Sequence, residues 1–175
     1  MSIRLLAGMF FMLLAGCMES DRDFFAASEK VEMPVSGTWT KVSGRFLTFT
    51  EEARIGDPIV IEKTGPASYL ARGNGEVQMS FVPLEGTGHV IVIVERKLEH
   101  SPDDVFYYLM RMAGEDMFVI SLGCPADRIA GLEKGKYVCR VNSRAALLAV
   151  AEEHLSDPRN LGASAPGALY RRTAP

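Results

Sequence analysis

The side chains with the widest chemical reach in this 175-residue chain are its three cysteines and three histidines. His89, His100 and His154 fall in different segments, and none has a histidine two or four residues away, so no paired imidazole ligand set is formed. The run Glu99-His100-Ser101-Pro102-Asp103-Asp104 gathers carboxylates and an imidazole that would hold a divalent cation weakly; a solvated hairpin tip is the plainer reading. Gly131-Leu132-Glu133-Lys134-Gly135-Lys136 has one residue too few between its glycines for a phosphate loop. Tyr137 also stands where a magnesium-binding Ser or Thr belongs, so this stretch reads as a surface turn. No serine lies in a Gly-x-Ser-x-Gly elbow, and no Cys–His pairing is suggested. These patterns assign no catalytic residue, no metal site and no cofactor. An enzyme with a dispersed site stays open as an alternative, because catalytic groups need only meet in space.

Cys17 has a different setting. A short positive start, Met1-Ser2-Ile3-Arg4, leads into an apolar run over 5–14, and acidic residues begin at Glu19. A spanning helix needs about 20 apolar residues, so this run has the length of a signal-peptide core instead. It ends in Leu14-Ala15-Gly16-Cys17, which resembles the lipobox of bacterial lipoproteins. The resemblance implies diacylglyceryl modification of the Cys17 thiol, cleavage of 1–16, and Cys17 as the first residue of the mature chain. Met18 in the next position, where Asp would signal retention, resembles an outer-membrane passenger. The competing reading is an ordinary cleaved leader with Cys17 merely nearby.

The expected localisation is therefore the bacterial cell envelope, on a membrane facing the periplasm. The lipid anchor makes the membrane a partner, since two or three acyl chains hold stably where one binds marginally. Of the 19 basic residues only Arg4 lies in the leader, leaving 18 against 22 acidic. That mildly acidic balance gives no electrostatic footprint for nucleic acid.

These groups must be positioned by a body with 47% hydrophobic and 23% charged residues, the proportions of a folded globular domain. Residues 17–35 have no clean period and end at a proline, which reads as a lipidated cysteine and tether; Phe24 and Phe25 would either dock on the domain or touch the membrane. From 36 to 175 a single β-rich domain is expected. Alternating runs at 39–42, 45–50, 59–62, 68–72 and 77–82 are divided by Gly, Pro and Asn, and Gly73-Asn74-Gly75 is a hairpin signal. The continuous apolar run at 89–95 suits a strand buried on both sides. Residues 105–112 and 116–122 make a hairpin turned at Gly114. The fold class is mainly β, an antiparallel sandwich or barrel with a C-terminal α-helix. Residues 126–132 offer a helical turn or two. Ser143 N-caps a helix over 144–155 with Leu147, Leu148, Ala151 and Leu155 as its stripe, leaving His154 on an exposed face. Residues 169–172 suit a last short strand.

Gly37-Thr38-Trp39 near the start of this domain resembles the Gly-x-Trp signature of the lipocalins. The resemblance implies an eight-stranded barrel whose Trp closes one end beneath an Arg from the end of the chain, here Arg171 or Arg172. It also implies a cavity among Trp39, Phe46, Phe49, Met79 and Phe81 for an apolar small molecule. The segment over 124–141 is material a plain lipocalin lacks. The other reading makes Trp39 an ordinary core aromatic.

With Cys17 consumed by lipid, Cys124 and Cys139 remain as an even pair in an oxidising compartment, and a disulfide between them is expected. Buried free thiols are the rival, and a two-cysteine metal site lacks the histidines it would need. The function expected is a lipid-anchored structural or interaction module with an envelope protein partner, the alternative being a lipocalin-like carrier.

Overall fold

The computed structural model describes residues 17–44, 54–73, 75–96, 104–125, 129–135, 138–161 and 167–175. The strands in chain order are β1 (Cys17–Ser20), β2 (Gly37–Gly44), β3 (Pro58–Lys63), β4 (Tyr69–Arg72), β5 (Glu76–Leu84), β6 (His89–Arg96), β7 (Asp104–Ala113), β8 (Asp116–Ser121), β9 (Leu132–Lys134), β10 (Val138–Val141) and β11 (Gly167–Ala174). One helix, α1 (Arg144–Ser156), stands between β10 and β11.

Among these residues eight antiparallel strands, β2 through β8 and then β11, close into a barrel. Of the two architectures open at the sequence level, the barrel is the one found. The last strand closes it, lying between β8 and β2. Outside the barrel the sheet continues past β7 through β1, β10 and β9, with β1 and β10 the one parallel pair among the described strands.

The alternation of each strand sorts its side chains into two cores. Val77, Met79 and Phe81 of β5, Val90, Val92 and Val94 of β6, and Tyr108 and Met110 of β7 point inward with Trp39 and Tyr170. Ile91, Ile93, Tyr107, Leu109 and Ile120 point outward under Ala146, Leu147, Val150 and Ala151 of α1. β6 is apolar at every position from 90 to 94 because both its faces are covered.

Ser143 caps α1, its side chain accepting from the Ala146 amide at 3.2 Å. The buried face is Ala146, Leu147, Val150, Ala151 and His154, one step in phase from the expected stripe. Leu148 and Leu155 are only half-buried. Ala146 and Ala151 face the wall beside the larger Leu147, Val150 and His154. His154 is thereby buried, which corrects the exposed face expected of it.

The tether expected over 17–35 is also corrected. Met18 is fully buried, and Ser20 shares a hydrogen bond of 3.0 Å with the Tyr107 hydroxyl. Phe25 packs on the outer core beneath the Arg144 guanidinium, 5.1 Å from its ring centroid. The segment then reaches β5, where β4 pairs only as far as Met79, and the Val31 amide donates to the unclaimed Phe81 carbonyl at 2.9 Å. No period was visible because each residue meets a different surface. Leu132, where the helical turn expected over 126–132 would end, instead opens β9, an exposed edge strand paired with β10.

Candidate functional site

One end of the barrel is sealed. Here β2 begins, β11 finishes, and residues 31–35 cross to meet them. The Trp39 indole N–H donates to the Val35 carbonyl at 2.7 Å, which satisfies its polar atom within a fully buried setting. Arg172 lies over the indole face, 4.7 Å from the ring centroid, and donates to the Pro34 carbonyl. Its neighbour Arg171 faces the other way, into a two-pronged pair with Asp116 at 2.8 and 3.2 Å; this holds the Asp116 carboxyl below its ordinary range. Tyr69 ties the crossing segment to β4, its hydroxyl accepting from the Met33 amide at 2.8 Å and donating to the Met33 carbonyl at 2.9 Å.

Gly37 earns its place two residues before Trp39 through backbone geometry. Its φ of +124° is one that L side chains rarely adopt, and a Cβ there would lie 2.5 Å from the Ala174 carbonyl oxygen. The glycine lets β11 reach the start of β2, and β11 carries the arginine to the tryptophan.

Of the five residues expected to line a cavity, Trp39, Met79 and Phe81 meet in the barrel interior. Phe46 and Phe49 lie outside the described residues. Around Trp39 the interior is occupied by the barrel's own side chains. Tyr69 stands edge-to-face on Phe81 with centroids 5.2 Å apart, and Tyr170, Tyr108, Met110 and Met117 fill the neighbouring space.

Sequence reasoning missed Lys41. It follows Trp39 by two positions on β2, so the pleat turns it toward the same interior, and it is only 5% exposed. Burial lowers the pKa of its amine, with the Asp57 carboxylate opposing that shift. The alternation signal was available, but an isolated lysine in a short strand reads first as solvated.

The three cysteines converge around β10. Cys124, just past β8, is bonded to Cys139 of β10 with Cα atoms 5.6 Å apart, so the expected disulfide is present. Cys139 is fully buried and pairs in register with Met18, while the backbone of Cys17 pairs with Val138. Among the histidines, His89 places Nδ1 2.9 Å from the Thr87 carbonyl. His154 has a buried Nε2 without a hydrogen-bond partner, and desolvation lowers its pKa against an opposing pull from Asp157. His100 and the loop around it lie outside the described residues. Among the described residues no helix is long and apolar enough to cross a membrane.

The geometry defines a closed β-barrel with one plugged end, a helix-covered flank and a disulfide-fastened extension of the sheet. No protein-family model matches the chain, and neither does any curated protein or solved structure.

Proposed function

We propose that this chain is a lipid-anchored protein of the bacterial cell envelope, held through Cys17 on a membrane facing the periplasm, whose barrel serves as an interaction module for an envelope protein. The observation that supports a module over a carrier is the full burial of the large side chains inside the barrel around Trp39. An eight-stranded barrel is just wide enough for its own side chains or for one small ligand. Side chains lining a ligand-sized cavity would keep surface that a water molecule could touch, and Trp39, Tyr69 and Tyr170 keep none. Met18 after the cysteine favours the outer membrane.

The second reading, a carrier of an apolar small molecule, draws on the closed barrel itself and on the inward Lys41, a polar group of the kind that orients a bound molecule. Native mass spectrometry with lipid extraction of the detergent-solubilised protein from its own host separates the two. The module reading expects no stoichiometric small molecule and a reproducible protein partner after in-cell crosslinking; a bound lipid at one per chain would overturn it. For the anchor, Cys17→Ser should leave an unprocessed precursor without incorporation of a clickable fatty acid. Equal labelling of both forms would remove the anchor.

A further inference from the structure

We infer that the barrel lies directly against the bilayer surface, with the end at which β1 and β10 begin toward the lipid and β3 pointing away from it. This rests on the anchored reading of Cys17 and adds an orientation to it. What carries the inference is the absence of any spacer between anchor and fold. A flexible linker of n residues separates an anchor from a domain by about 5–6 Å times the square root of n. In this chain n is zero. The residue that would bear the acyl chains is itself the first residue of β1, paired with Val138. The next residue, Met18, is fully buried between partners on both sides, Tyr107 on β7 and Cys139 on β10.

Slack cannot come from fraying β1. Releasing it would strip ladder hydrogen bonds from two neighbouring strands, uncover Met18, and separate Ser20 from the Tyr107 hydroxyl. β10 is in turn fastened to the end of β8 by the Cys124–Cys139 bond, so the strand beside the anchor is itself fixed to the barrel. The distance from the sheet to the glycerol backbone is then set by the thioether arm, a few covalent bonds.

The topology supplies the direction. β1 and β10 run parallel and so begin at the same end; β9, antiparallel to β10, finishes there at Lys134. That end must meet the headgroups. Around the barrel, β3 stands four strands from β7 in either direction and is therefore diametrically opposite the flank on which β1 sits. Its outward Val60, 38% exposed, marks the wall turned away from the membrane.

The test uses the full protein, expressed with its own leader in a lipoprotein-processing bacterium, purified, and reconstituted into phosphatidylethanolamine–phosphatidylglycerol vesicles. A fluorescent non-canonical amino acid replaces Lys134 in one sample and Val60 in another, and a nitroxide is carried on a fraction of the lipid headgroups. Intact mass is read first. Acylated Cys17 with severalfold stronger quenching at position 134 than at 60 supports the inference. The contrast should vanish when about ten Gly and Ser residues are inserted between Cys17 and Met18 with acylation unchanged. Acylated protein with equal quenching at both positions overturns the orientation while leaving the anchor intact. An unacylated Cys17 overturns the anchor, and the orientation falls with it.

Discussion

Trp39 and Arg172 show how much two side chains contribute when they close a barrel together. The indole is fully buried and hydrogen-bonded to Val35, and the guanidinium covers its open face. Trp39→Ala should cost about 3–5 kcal/mol, the range for deleting a large buried aromatic. Arg172→Met, which keeps the aliphatic stem but removes the charge, should cost about 0.5–2 kcal/mol. Urea unfolding followed by circular dichroism measures both. Because Trp39 is the sole tryptophan, its emission should also be blue-shifted in the native protein and move red on unfolding. Native emission already at the exposed wavelength would contradict the sealed end.

His154 gives a pH dependence of definite sign. Its imidazole is buried without a partner at Nε2, so the folded-state pKa lies below the unfolded value of about 6.5. In the window beneath that value the unfolded chain binds the proton more readily than the folded one. The neutral histidine therefore contributes full stability above about pH 6.5, lost as pH falls toward its lowered folded value. Chemical denaturation at pH 7.5 and 5.5 should show wild type losing more than His154→Leu. Asp157 acts in a separate, more acidic window: Arg159 holds its carboxyl down to about 2, so its contribution fades only below the ordinary carboxylate range. Equal losses in both proteins between pH 7.5 and 5.5 would mean that the imidazole reaches solvent.

Among the elements, the disulfide is the fastening whose removal is easiest to read. It closes a loop with a sequence separation of 15 residues, which the chain-entropy model values at about 3 kcal/mol. Cys124→Ala paired with Cys139→Ala should lower the urea midpoint accordingly while the barrel signal in circular dichroism persists. Alkylation of both cysteines in unfolded, unreduced wild type would show that the bond is absent.

The same scale explains what could be read in advance. Strands β3 to β8 were legible because Gly, Pro and Asn punctuate them and their apolar residues alternate or run continuously. β1 was not, because four residues between two neighbouring strands carry no period of their own. β9 was hidden for a similar reason: at an exposed edge Leu-Glu-Lys pairs without an apolar face. The phase of α1 differs because leucine positions alone marked the stripe, whereas the docked face also takes in Ala146, Val150 and His154 and leaves Leu148 and Leu155 half-buried. At the candidate site Trp39, Met79, Phe81 and the cysteine pair could be located from residue type and spacing. Lys41 was passed over although its spacing of two from Trp39 puts it on the inward face, because an isolated lysine in a short strand reads first as solvated.

At the scale of the whole molecule the barrel is asymmetric around its circumference. The flank from β5 to β8 is covered by α1, β1 and β10, whereas the wall from β11 through β2 to β4 carries its outward residues into solvent. Val42 and Val60 are the exposed valines of that open wall. With the domain held at a membrane through the Cys17 end of β1, this open wall is what an envelope partner would meet.

The position of β11 bears on when the molecule can exist at all. Thr40 of β2 and Thr173 of β11 are neighbours in the wall yet 133 residues apart in sequence. Until residues 167–174 have left the ribosome, β2 and β8 each present an unpaired edge, the kind of edge through which unfinished chains stick to one another. The Trp39 face likewise waits uncovered for Arg172. The wall that begins at β2 therefore stays open-edged until this distant strand is in place, however early the rest of the barrel has paired.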